Sequence, residues 1–208
     1  MSLGQILSTF TGEVAQCDNL IAHAHQMGSA RKMVFPPVDR EQITVAAFLN
    51  LYVAWESFLE SSLLEFMVGS KTLSGGAPVR NVCPADAKSA RAIVKGCREF
   101  FDYGNPWFFK TIVNVYFDKG YPFEPPLSQI DSELSDLRTM RNAAAHITSS
   151  TQTHLDGLAQ RVFLGVPKPN IGLYALLMSS DHRSKSPNTV YTSFRDKLLA
   201  TAQLIVTG

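Results

Sequence analysis

Apolar residues recur along most of this chain at helical spacing. In residues 3–27, Ile6, Phe10, Val14, Cys17 and Ile21 follow one another at intervals of three and four, which predicts an amphipathic helix stopped by Gly28 and Ser29. The stretch 34–40 reads as a loop, because Pro36 and Pro37 cannot continue a helix. A long helix is predicted over 39–68, with Asp39 as its cap and Gln42 placed as in a capping box. Its apolar residues, Val45, Phe48, Leu49, Tyr52, Trp55, Phe58, Leu59, Leu63 and Phe66, cover more than one stripe. Such a helix should be buried on several sides, as the central member of a bundle. Glu56, Glu60 and Glu65 interrupt it, and Glu56 and Glu60, four apart, share a face.

Residues 69–84 read as irregular, 85–101 as a helix, 102–106 as a turn, 107–117 as a short helix and 119–126 as a further loop. The next helix starts at Ser128 or Asp131 and carries Ile130, Leu134, Leu137, Met140 and Ala144 as its apolar face. Asp131, Glu133 and Asp136 lie in its early turns, where the helix dipole favours carboxylates. It runs through 137–147 into a polar stretch, 148–153, followed by a short helix over 153–162. A loop is predicted at 165–170 and an exposed loop at 180–188. The apolar run 171–178 fits strand or helix, with helix or irregular structure preferred, and a last helix covers 189–206. There is no internal repeat and no separating linker, so the expected fold is all-α: one helical domain over 1–208, a four- to five-helix bundle with inserted loops and short extra helices.

Composition narrows the class. Hydrophobic residues make up 45% of the 208 residues and charged residues 18%, which excludes a disordered chain. The net charge of +1 excludes a generally basic nucleic-acid coat. The charge is uneven, however: −4 over 1–69, +3 over 70–130 and +2 over 131–208, so a polyanion partner should meet the middle or C-terminal third. The longest apolar stretch, 43–55, is too short for a membrane span and is broken by Asn50. Cys17, Cys83 and Cys97 form neither a zinc motif nor a disulfide framework. With no signal peptide in view, a reducing cytoplasm is expected, with no membrane association, no metal and no cofactor. His23 and His25 point to different helix faces and make a poor metal pair, while His154 and His182 are expected in exposed loops. Trp55 and Trp107 are expected as core anchors.

The segment RNAAAH, residues 141–146, carries the chemistry. Arginine can grip a phosphate bidentately, and histidine titrates near neutrality as a general acid or base. Asn142 is four residues before His146 and could fix its tautomer, and Arg138 is four before Asn142. Arg138, Asn142 and His146 thus make a polar stripe. Cleavage of RNA by its own 2′-hydroxyl needs a base, an acid and a cation at the phosphate, and no metal. Arg141 and His146 are five apart, however, and on a continuous helix point about 140° from each other. Either the helix ends or bends before His146, or two chains bring their motifs together across a two-fold axis.

RNAAAH resembles the Arg-polar-x3-His signature of the HEPN superfamily (higher eukaryotes and prokaryotes nucleotide-binding domains). The long helix with VAWESFLESSLLEF, and the stretch DYGNPWFFKTIVNVYFDKGYPF ahead of LSDLRTMRNAAAH, are similar to bacterial members of the RiboL-PSP and related groups; the likeness covers residues 40–206. It implies a HEPN-like bundle and a metal-independent endoribonuclease, a toxin or host-defence effector. The resemblance further implies a homodimer with both motifs in one cleft, and an antitoxin or regulatory protein as partner. Arg141 would bind the scissile phosphate, His146 would carry the proton transfers, Asn142 would orient it, Arg138 would assist substrate binding, and Glu56 or Glu60 would support the site. The alternatives are a non-catalytic HEPN-like module that binds nucleotide, RNA or protein, and a helical adaptor in which RNAAAH is incidental.

Overall fold

The computed structural model describes residues 1–28, 31–96, 101–146, 148–184 and 187–208. Among them are nine α-helices, one 3₁₀ turn at Asp118–Gly120 and three isolated β-bridges, with no strand, so the fold is all-α. The helices are α1 (Leu3–Ala24), α2 (Pro37–Met67), α3 (Ala87–Lys95), α4 (Pro106–Tyr116), α5 (Glu124–Gln129), α6 (Asp131–Ala145), α7 (Ser149–Val162), α8 (Leu173–Met178) and α9 (Val190–Thr207). None of the described helices is long and apolar enough to cross a membrane.

Several boundaries move from their expected places, for local reasons. α2 begins at Pro37 instead of Asp39, because proline's fixed φ and missing N–H suit a first turn. Asp39 then sits inside that turn. α1 ends at Ala24, short of Gly28, and the chain turns back so that Met27 bridges Met33; Ser29 lies outside the described residues. α3 is capped by the Asp86 carboxylate, which accepts from Ser89 N at 2.7 Å, and stops at Gly96. Its expected continuation to Phe101 crosses residues 97–100, outside the described set. The expected loop 119–126 instead holds the 3₁₀ turn and the start of α5, whose Pro125 and Pro126 fall in the first turn. Gly120 closes that turn at φ +65°, where an added Cβ would come within 2.8 Å of the Glu124 side chain. The polar stretch at 148–153 forms the first turn of α7, and 171–178 resolves as α8.

The chain divides into two compact units. The first comprises Met1–Thr11, Ala54–Ser135 and Lys197–Gly208; the second comprises Gly12–Val53 and Asp136–Asp196. In the first, Phe123 is fully buried and meets the rings of Phe66, Phe109 and Phe117 at 5.5, 5.4 and 6.0 Å. A second aromatic cluster there joins Phe10, Trp55 and Phe58. Edge-on and tilted arrangements of this kind add to the burial energy of each ring. Trp55 is a core anchor as expected, but Trp107 is 70% exposed on α4, because Phe109 and Val113 are the residues of that helix turned inward.

In the second unit Leu137, Met140, Leu158, Ala159, Val162, Leu176, Leu177 and Val190 form an aliphatic core. It is laced with polar contacts: Asp18 accepts from Tyr191 Oη and from Arg195 Nη1, both at 3.0 Å.

Removing the ring of Phe123 should cost about 3–5 kcal/mol, whereas Trp107→Ala should change stability by about 0.5 kcal/mol or less. Urea unfolding of the two variants checks the contrast.

Candidate functional site

α6 carries the motif. Leu134, Leu137, Met140 and Ala143 are its buried residues, with Ala143 closing the face where Ala144 was expected. The helix ends at Ala145, and His146 stands one residue beyond it. Its amide still donates to Asn142 O at 3.0 Å, so the main chain leaves the helix only after His146. The Ile147 expected at the end of this helix lies outside the described residues.

The other side of His146 is held by α7. Thr148 and Thr151 form a reciprocal cap: Thr148 N donates to Thr151 Oγ1 at 2.8 Å, and Thr151 N donates to Thr148 Oγ1 at 3.2 Å. Thr151 Oγ1 also donates to the carbonyl of His146 at 2.7 Å. Both backbone polar groups of His146 are therefore bonded, while the residue as a whole is exposed.

Arg141 is exposed and Asn142 and Arg138 are half-buried. The structure brings Arg141 and Asn142 together: Arg141 Nη1 donates to Asn142 Oδ1 at 3.2 Å. The Oδ1 of Asn142, the residue expected to orient the imidazole, thus faces the guanidinium. The Arg141 guanidinium also lies over the buried Tyr52 ring, 5.7 Å from its centroid. This cation–π contact limits where the arginine can swing while leaving donors free for an anion. Tyr52 and Thr151 are the residues that sequence reasoning missed. Tyr52 reads as core, and a threonine at the position where a capping box carries Glu or Gln does not announce itself.

Glu56 and Glu60 belong to the first unit. Glu56 Oε1 accepts from Gly104 N at 3.1 Å, and Glu60 Oε1 accepts from Arg91 Nε at 2.9 Å.

No family model, curated protein or solved structure matches this chain.

Within the same unit, two buried carboxylates anchor an ion network. Asp136, 5% exposed, accepts from Arg161 Nη2 and from Arg183 Nη1. Arg183 in turn grips both oxygens of buried Asp181, with Nε at 2.9 Å and Nη2 at 3.2 Å. The expected exposed loop at 180–188 is therefore anchored inward at Asp181; Lys185 and Ser186 lie outside the described residues. Burial opposes ionisation of Asp181, but the hydrogen bonds and charge of Arg183 outweigh it and hold the carboxyl below its ordinary range.

The remaining candidates are quiet. His154 is exposed, on α7 and not in a loop. His182 is exposed beside the Phe163 ring. His25 stacks on Tyr174, and burial, with Arg40 nearby, lowers its pKa. Burial, with Asp18 and Glu13, pushes the Cys17 thiol up to about 11, away from nucleophilic use; Cys97 lies outside the described residues. Among the described residues no group of three or more His, Cys, Asp or Glu is arranged to hold a metal.

Because the folded pKa of Asp181 lies below the unfolded value, its stabilisation is complete above about pH 4 and is lost as pH falls through the folded value. Asp181→Asn should be about 2 kcal/mol less stable at pH 7 and flatter than wild type below pH ~4. Urea unfolding across that range checks it; parallel pH curves would show that Asp181 does not titrate with folding.

Proposed function

We propose that this chain is a metal-independent endoribonuclease of the HEPN type. The observation that supports this best is His146: an exposed imidazole on a backbone bonded at both its amide and its carbonyl, five residues after an exposed arginine steadied by Tyr52 and Asn142. A general acid or base and a cation for the phosphate are two of the three groups that cleavage by the 2′-hydroxyl requires.

In the reaction His146 takes the proton of the 2′-hydroxyl, O2′ bonds to phosphorus, and the P–O5′ bond breaks. The leaving O5′ takes a proton from an imidazolium, that of His146 itself or of its counterpart in a dimer, giving a 2′,3′-cyclic phosphate and a 5′-hydroxyl. Arg141 neutralises the charge that builds on the non-bridging oxygens, and Arg138 assists in holding the strand. A homodimer with paired motifs would supply a second imidazole for the leaving group. The resemblance assigns such an enzyme to toxin or host-defence work, under an antitoxin or regulatory protein, and the cysteine usage suits the cytoplasm.

One observation favours the second reading, a non-catalytic module that binds RNA, nucleotide or protein: Asn142 Oδ1 engages Arg141, not the imidazole.

Incubation of single-stranded RNA with wild type and His146→Ala in EDTA separates the two. The variant should lose about 10²–10⁴-fold in cleavage rate, with an unchanged circular dichroism spectrum because the residue is exposed. Arg141→Ala should lose cleavage as well. Undiminished cleavage by His146→Ala would sink the assignment. RNA binding without cleavage by wild type, weakened in Arg141→Ala, would establish the binding module.

A further inference from the structure

The positive offset of the middle third resolves onto one helix. Residues 70–96 contain five basic side chains and a single acidic one, Asp86. That carboxylate is spent on capping α3 through Ser89 N. On α3 itself, Lys88, Arg91 and Lys95 are all exposed. Their spacing puts them within about 60° of arc, away from the buried Ala90 and Val94. Among the described residues, Lys88 and Lys95 have no hydrogen-bond or ion-pair partner. Arg91 donates through Nε to Glu60, and its side chain remains 61% exposed. Held at Nε, the guanidinium can turn its terminal nitrogens to an anion. The helix is short but firmly bounded, by the Asp86 cap at one end and Gly96 at the other.

From Lys88 to Lys95 the axial distance is about 10 Å, which covers roughly three phosphates of a stacked strand at about 3.4 Å each. We infer that Lys88, Arg91 and Lys95 form an RNA-backbone binding stripe on α3, separate in sequence and in structural unit from the RNAAAH motif, with Glu60 as the residue that positions Arg91. The inference rests on the ribonuclease reading for its choice of polyanion. It gives Glu60 a place in substrate binding and not in proton transfer. A row of cations at phosphate spacing reads backbone and no base, so the stripe contributes affinity and salt dependence without sequence preference.

The test measures binding with cleavage chemically blocked. The probe is a single-stranded 2′-O-methyl oligoribonucleotide, which offers no 2′-hydroxyl for attack, titrated against wild type and Lys88→Gln/Lys95→Gln over a salt series. The double variant should bind about tenfold more weakly, and its slope of log K against log salt should fall by about 1.4, at roughly 0.7 per phosphate released. Its thermal unfolding should match wild type, and Lys88→Arg/Lys95→Arg should restore both affinity and slope. Glu60→Gln should weaken binding less and leave the Lys contributions intact. Equal affinity and slope in wild type and the Gln pair would overturn the stripe, as would absence of binding by wild type. Poly-glutamate bound as tightly, and lost in the same variant, would overturn RNA in favour of an acidic protein. Failure of cleavage in the EDTA assay alongside a positive result here would remove the nuclease reading and leave the stripe standing.

Discussion

The arrangement of the second unit turns on the buried carboxylate of Asp136. A charge taken out of water costs several kcal/mol unless it is paired with good geometry and its remaining lone pairs are met. Here both oxygens are met, one by Arg161 from α7 and one by Arg183 from the loop before α9. Arg183 passes the requirement on to Asp181, so two carboxylates and two guanidiniums close a neutral set. Neither carboxylate can lose its partners without leaving a buried charge unpaired, whereas Arg161, 59% exposed, closes the set from the surface. The C-terminal half of α6, the end of α7 and the 181–184 segment are therefore fixed relative to one another by directional bonds. Arg138, Arg141 and Asn142 follow Asp136 on that same half-helix.

The first unit is built on a different principle. Its core clusters of Phe10, Trp55 and Phe58, and of Phe66, Phe109, Phe117 and Phe123, hold by area and ring packing. Such contacts tolerate small shifts that an ion network does not. Its ion pairs Arg91–Glu60 and Lys110–Asp131 are at least partly solvated. A surface of this kind costs little to present to a polyanion, because its cations are not needed to hold the core.

Much of this was legible in the chain. The breadth of apolar residues on α2 announced a helix buried on several sides, and the acidic first turn of α6 announced its start. The errors have physical sources. Pro37, Pro125 and Pro126 read as loop, yet the first turn of a helix is where proline fits. Trp107 was expected inside because its size dominates local hydrophobicity, but the helix has one inward face and Phe109 and Val113 take it. The ion network was invisible because Asp136 lies 25 residues from Arg161 and 47 from Arg183, and each reads as surface charge. The division into units leaves no linker to detect, since α1, α2, α6 and α9 each contribute residues to both. At the site, the motif's spacing was plain, but the Tyr52 ring beneath Arg141 and the hydroxyl on the His146 carbonyl are tertiary facts.

Thr151 gives the motif its mechanical character. One hydroxyl completes the cap that starts α7 and also satisfies the carbonyl of the residue that follows α6. The same hydroxyl thus ties the His146 main chain to the start of α7. The entropy of ordering the His146 backbone is thereby spent when the chain folds, and a ligand arriving at the imidazole meets a group whose main chain needs no further ordering.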